Sequence, residues 1–230
     1  MKLNPVLLEA SFIERTNRFA ALVLLEGVPV LAHVPNSGRL KELFIPGQRV
    51  YLAPRSGPHR KTRYDLCLVA VDDILVSCDA RLPPSIVEEA LRSKRLAPFQ
   101  GYPTITREVT FGDSRLDLLL EGPRGRCFIE TKSVTLVPNG TALFPDAPTS
   151  RGTRHLRTLA RAVREGYRAA VIFVVQREDA LRFCPHDRAD PEFGATLRQT
   201  RSQGVEVYTY KCRVSLSEVV LWKEVQVLLR

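Results

Sequence analysis

Two acids and a lysine set close together carry most of the chemistry legible in this 230-residue chain. Asp117 lies in the apolar run Arg115 to Glu121. The turn Gly122-Pro123-Arg124-Gly125 follows, and Glu130 and Lys132 lie in the return run Arg126 to Ser133. The pattern predicts a β-hairpin. Side chains alternate across a strand, so Glu130 and Lys132 project from one face, and the hairpin partner can bring Asp117 onto it. Charges among Leu, Ile, Phe and Val are costly unless they are paired or hold a metal. Two neighbouring carboxylates repel, and a divalent ion with a taste for oxygen donors relieves that: Mg²⁺, or Mn²⁺ in its place. A lysine beside the ion can orient a water or stabilise an oxyanion. That is the chemistry of phosphodiester hydrolysis. Glu-x-Lys also occurs as a plain structural salt bridge, and the residues alone leave both readings open.

The surrounding elements must position this group. Residues 1–82 read as all-β, with strands Phe19 to Leu25, Val28 to Val34, Arg49 to Ala53, Tyr64 to Val71 and Ile74 to Cys78, parted by Gly, Pro and Asn turns. Five short strands suit a small barrel of the oligonucleotide-binding (OB) kind. The loop holding Arg55, Arg60, Lys61 and Arg63 is basic at the barrel mouth. It contains no Phe, Tyr or Trp for a base to stack on, so it reads as a grip on phosphates or as a solvated hairpin tip. Leu82-Pro83-Pro84 marks a boundary, and Ser85 is placed to cap a helix from Ile86 to Lys94. Glu88 and Glu89 fall near its start, where the helix dipole accounts for them without function. Strand Arg107 to Phe111, the hairpin, helix Gly152 to Tyr167, strand Ala169 to Gln176, helix Pro191 to Gln203 and strand Val205 to Tyr210 complete a mixed α/β domain over residues 83–230. The expectation is an α+β protein of two domains.

The net charge is +9, and 27 of the 34 basic residues are arginine. Arginine binds phosphate bidentately, although a GC-rich genome produces the same bias without functional intent. Placement says more. In the helix near residue 160, Arg154, Arg157, Arg161, Arg164 and Arg168 fall within an arc of about 80°. A solvated face usually mixes signs, whereas this stripe holds no acid, which favours sequence-independent, salt-sensitive contact with a phosphate backbone. His155, a lone histidine on that helix, reads more readily as a cap or core residue than as a catalyst. No apolar run approaches the ~20 residues of a membrane span, and the start of the chain does not read as a signal peptide. Five scattered cysteines without Cys-x-x-Cys read as reduced thiols, and no zinc site is expected. The cytoplasm is therefore the expected location, with no membrane partner. No Gly-rich phosphate loop, nucleophile signature or helix-turn-helix stands out.

Several blocks together resemble the sugar fermentation stimulation protein A family. They are Arg18-Phe19, His33-Val34-Pro35-Asn36-Ser37-Gly38, Arg115-Leu116-Asp117, Glu130 to Leu136, and Phe144 to Leu156. The resemblance implies an OB-like barrel followed by a domain similar to PD-(D/E)XK (restriction-endonuclease-like) nucleases, non-specific DNA binding and a role in regulating sugar (maltose) metabolism. Carried onto this chain, it implies that Asp117, Glu130 and the Thr131 carbonyl hold Mg²⁺ and that Lys132 positions the attacking water. Glu89 would be the helix acid, with Glu88 the competing choice. Leu116 stands where the superfamily name has proline. Three functions stay open: a DNA-binding protein with a metal-dependent nuclease site, a non-catalytic DNA-binding regulator, and an RNA-processing nuclease.

Overall fold

The computed structural model describes residues 1–4 and 6–229. The first domain contains β1 (Leu8–Asn17), β2 (Ala20–Leu25), β3 (Val28–His33), β4 (Arg49–Pro54), β5 (Tyr64–Val71) and β6 (Ile74–Ser77). They pair in the order β3-β2-β1-β4-β5-β6, and β3 also meets β5 through Ala32↔Tyr64 and His33↔Asp65. That contact closes β1 to β5 into a five-stranded barrel around Phe12, Val23, Val50, Leu52, Leu66 and Val69. The strand count expected for the barrel holds, but its membership differs. β1 belongs to the ring, and β6 only extends β5. β1 escapes pattern reading because Ala10 and Phe12 alone are buried along it, and two register shifts interrupt its alternation.

The second domain runs through α1 (Pro83–Arg92), β7 (Thr104–Phe111), β8 (Ser114–Gly122), β9 (Gly125–Val134), β10 (Thr141–Phe144) and α2 (Ser150–Arg164). It continues with β11 (Arg168–Val175), β12 (Arg182–Pro185), α3 (Pro191–Ser202), β13 (Glu206–Val214), β14 (Val219–Glu224) and β15 (Gln226–Val227). Its main sheet has the order β14-β13-β11-β9-β8-β7. The central β9, β11 and β13 are parallel and the outer strands antiparallel. The stretch Ala169 to Val175 is buried throughout, as a parallel strand covered on both faces requires. Ile86, Val87, Ala90 and Leu91 of α1 cover one face against Leu118, Ile129 and Ile172. Leu156 and Leu159 of α2 and Phe193 and Leu197 of α3 cover the other, with Phe128, Val171 and Phe173. The short parallel strands β10, β12 and β15 form a second small sheet, where Phe173 stacks on Phe183 with centroids 4.2 Å apart.

Two helix starts differ from expectation. α1 begins at Pro83, since proline pre-sets the first helical turn and needs no N–H partner. Ser85 therefore lies inside the helix, and its hydroxyl accepts from Arg107 at 3.0 Å. α2 is capped by Thr149, whose hydroxyl accepts the Gly152 amide at 3.0 Å. It stops at Arg164, before Gly166 at φ +88°.

The expected division at residue 82 falls in the link between β6 and α1. Residues 1–3, expected with the barrel, instead join the second domain: the Leu3 amide donates to Ser217 O at 2.8 Å, and the Lys2 backbone pairs antiparallel with that of Glu218 in an isolated β-bridge. The domains are tied together elsewhere too. Buried Gln176 donates to Asp79 O and Ser133 Oγ and accepts from Ser77 Oγ. Among the described residues no helix is long and apolar enough to cross a membrane.

Candidate functional site

The β8–β9 hairpin opens where the charged residues begin. Its ladder runs from Gly122↔Gly125 to Leu118↔Ile129. Beyond that point the Thr131 amide donates to Asp117 Oδ2 at 2.7 Å, and the Thr131 hydroxyl reaches the same oxygen at 2.6 Å. A side-chain carboxylate has taken the place of a strand. Glu130 and Lys132 pair with Val171 and Phe173 of β11, which places both on the α2 side of the sheet. Asp117 lies one residue beyond Leu118↔Ile129 and lines the same cleft as Glu130 and Lys132.

Glu130 is 3% exposed. Its Oε1 receives Lys132 Nζ at 2.6 Å and His155 Nδ1, while Oε2 is buried with no hydrogen-bond partner among the described residues. The two carboxyls are shifted in opposite directions. Burial and the neighbouring Glu130 charge push Asp117 above the ordinary aspartate range. Burial alone would also raise Glu130, but the Lys132 ammonium and His155 outweigh it and hold the group below its usual value. Such divergence separates a carboxyl that stays ionised from one that holds a proton more readily.

These groups line a cleft of about 310 Å³ shared by both domains. Asp117, Glu130 and Lys132 form its sheet side. Arg151 of α2 and the Phe144 to Thr149 loop form another wall, and Arg18 with Asn36 to Gly38 contributes the barrel side. The barrel loop is clamped by the Arg15 guanidinium, which donates to the carbonyls of Asn36, Gly38 and Arg39. From the second domain Asp146 Oδ2 accepts the Arg39 amide at 2.6 Å and the Leu40 amide at 3.2 Å. A Cβ on Gly38 would meet that carboxylate oxygen at 2.6 Å, so only glycine permits the approach. His155 is the residue that sequence reading discounted. It is 2% exposed, bonds Glu130 through Nδ1, and accepts from Arg151 Nε at 3.4 Å through Nε2. The i,i+4 spacing of Arg151 and His155 on one helix face was the available signal.

Other predicted residues lie apart from this cleft. Glu89 is exposed and pairs with the amino terminus at 2.6 Å and Arg95 at 3.5 Å; Glu88 pairs with Arg92 at 2.7 Å and Arg107 at 3.6 Å. Neither lines the cleft, to which α1 contributes Pro83 and Pro84. The reason is that Ile86, Val87, Ala90 and Leu91 claim the sheet-facing side of α1. Arg168 leaves the predicted stripe because α2 has ended; it sits on β11, bound bidentately to Glu206. Arg154, Arg157, Arg161 and Arg164 remain exposed along α2. Arg157 is matched by Glu192 of α3 and Arg161 by Glu165, whereas Arg154 and Arg164 have no acidic partner among the described residues.

In the basic loop, Arg55 and Arg60 join Arg81 around Asp65, a carboxylate only 1% exposed, so they neutralise a buried acid. Lys61 and Arg63 stay exposed without an acidic partner among the described residues. The missing aromatic comes from elsewhere: Phe19, 48% exposed, and His33 line a cleft with Arg60 and Lys61.

The cleft offers oxygen donors of the kind a hard divalent ion takes. Glu130 Oε2 has no other partner, and both bonds to Asp117 use Oδ2, leaving Oδ1 free among the described residues. No group of three or more His, Cys, Asp or Glu gathers in ion-holding geometry among the described residues. Two carboxylates with a main-chain oxygen and waters form the sparser set that Mg²⁺ accepts.

An OB-like five-stranded barrel joined to a mixed α/β domain, whose six-stranded sheet is covered by helices on both faces, defines the class. The chain belongs to the sugar fermentation stimulation protein family: residues 13–78 match its N-terminal OB domain and residues 81–218 its RE domain. A sugar fermentation stimulation protein homolog of Desulforamulus reducens is 49% identical over 223 residues, covering 97% of this chain and 93% of the relative. The Moorella thermoacetica homolog is 46% identical over 229 residues, covering 99% of each. A solved structure of Pyrococcus furiosus SfsA in complex with Ca²⁺ is 33% identical, with TM-score 0.92 over 99% of this chain and 98% of that one.

Proposed function

We propose that this chain is a sequence-non-specific DNA-binding protein with a metal-dependent phosphodiesterase site at the two-domain cleft. The observation that carries the reading is the meeting of Asp117, Glu130 and Lys132 in that cleft, with Glu130 Oε2 buried and unpartnered. Ca²⁺ in the Pyrococcus furiosus relative supports a divalent cation here, and the two-carboxylate set suits Mg²⁺ or Mn²⁺. Asp117, Glu130 and the Thr131 carbonyl are the groups that would hold it. The ion would supply a Lewis acid for the phosphoryl oxygen and a more acidic water.

The protein's own residues do the rest. Lys132, fixed by Glu130, orients the attacking water and faces the charge that grows on the phosphoryl oxygens. His155 and Arg151 hold the Glu130 carboxylate in place from behind. Arg18 and Arg151 line the same cleft as cations for the phosphates on either side of the scissile bond. Glu89 has no part in this reading, because its ion pairs place it away from the cleft. Arg154 and Arg164 of α2, with Lys61 and Arg63 of the barrel, supply phosphate contacts without reading bases.

The test is incubation of the full chain with single-stranded, duplex and forked DNA, and with RNA, in Mg²⁺, Mn²⁺ or EDTA. Metal-dependent products that disappear in Lys132→Ala support the reading. Salt-sensitive binding with no product from any substrate, equal in both proteins, would make the chain a non-catalytic DNA-binding regulator.

A further inference from the structure

Trp222 lies on β14, an edge strand of the main sheet, and is 39% exposed. The pairing with β13 passes from Lys211↔Lys223 to Cys212↔Leu221, which leaves Trp222 as the extra residue of a β-bulge. Cys212 and Leu221 are buried on the α1 side. Lys211, Arg213, Trp222 and Lys223 therefore crowd the opposite face. Three cations stand over the one ring: Arg213 Cζ at 4.4 Å, Lys223 Nζ at 4.5 Å and Lys211 Nζ at 5.3 Å from its centroid.

As a device for folding this is a poor choice. Lys211 and Lys223 are directly opposed like charges, an arrangement that destabilises a strand pair. None of the three cations forms an ion pair with an acid among the described residues; Lys211 donates to the Ala180 carbonyl at 2.9 Å. The ring attracts the cations and holds them in position without neutralising them. Such a cluster suits an anion that arrives from outside. Lys211 is level with Val175 and Val134, on the same sheet face as Glu130 and Lys132. Two strand spacings and two residues along the strand separate it from Lys132, about 12 Å. One nucleic-acid strand covers that in about four nucleotide steps.

We propose that Lys211, Arg213, Trp222 and Lys223 form a second nucleic-acid contact, with the cations on the sugar–phosphate backbone and the indole against a sugar or base. The choice of polymer rests on the DNA-binding reading above; the cluster itself does not involve the cleft. Trp222 is the single tryptophan of the chain, so its fluorescence reports this place alone. The experiment titrates the full chain in EDTA with a short labelled duplex, following tryptophan emission and label anisotropy together, for the wild type and for Arg213→Ala/Lys223→Ala. Both substituted side chains are exposed.

The expected result is an emission change that tracks anisotropy, about tenfold weaker binding by the double variant at low salt, and a salt slope flattened by about 2. Saturating anisotropy with unchanged emission and full affinity in the variant would overturn the patch and leave DNA binding standing. Absence of wild-type binding would overturn both. An emission change with phosphatidylserine vesicles but not with duplex would assign the patch to lipid and overturn it as a nucleic-acid contact.

Discussion

Replacing Lys132 with methionine removes one charge from the cleft with little change of shape. Lys132 Nζ lies 2.6 Å from Glu130 Oε1, with side chains 11% and 4% exposed. Without the ammonium, Glu130 keeps only His155 on that oxygen, and Oε2 already has no partner. Stranding one member of a buried pair costs about 3–5 kcal/mol, and access of water through the cleft places this case near 3 kcal/mol. At a slope of about 2 kcal/mol per molar urea, the unfolding midpoint drops by about 1.5 M. Glu130→Gln instead removes the charge that needs compensation and ends its repulsion of Asp117, so it costs less than Lys132→Met. The double variant should recover about 2 kcal/mol relative to the sum of the single changes. The assay is urea denaturation of the four proteins in EDTA. A wild-type midpoint for Lys132→Met, or strict additivity in the double variant, refutes the view that Lys132 is what lets Glu130 stay ionised inside the fold.

Asp65 gives a pH dependence. Burial alone would raise its pKa, but Arg60 and Arg81 hold it below the ordinary value. Its contribution to stability is thus present above the unfolded pKa, near 4, and lost as pH falls through the lower folded value. Asp65→Asn should flatten the acid limb of a stability–pH curve, and an unchanged limb would count against the arginine cluster. Gly38→Ala drives a methyl into Asp146 and should cost about 1–3 kcal/mol in thermal or urea unfolding; full stability would show that the interdomain contact yields freely. Arg154→Glu/Arg164→Glu should weaken duplex binding at low salt more than Arg157→Glu/Arg161→Glu, because the second pair is already matched by Glu192 and Glu165. Equal effects in an anisotropy titration would mean that those ion pairs leave the charges equally available.

The hairpin and its charged face were legible because apolar runs flank a Gly-Pro turn, and strand geometry then sets Glu130 and Lys132 on one face. They place Asp117, Glu130 and Lys132 together without knowledge of the rest of the fold. The barrel was legible as a class but not in its closure, since β1 carries charged residues and its register breaks conceal the alternation. Glu89 was misplaced because an acid on a helix of known extent can still face either way. The burial of Ile86, Val87, Ala90 and Leu91 decides the direction, and only packing shows it. Arg168 was misplaced by continuing a helix past Gly166. The cleft itself was beyond sequence reading. Asp146 and the Arg39 amide are 107 residues apart, and no local pattern predicts that contact. His155 shows the same limit: its role follows from the partner it meets, Glu130, which the fold brings from 25 residues away.

The most direct test of the central claim is calorimetric titration of Mn²⁺ and Mg²⁺ into the wild-type chain, Asp117→Asn and Glu130→Gln, because it needs no knowledge of the substrate. One divalent site is expected in the wild type, weakened at least about tenfold by either change. Circular dichroism establishes that both variants are folded. Wild-type affinity in both folded variants, or no ion binding by the wild-type protein, would contradict a metal site at Asp117 and Glu130.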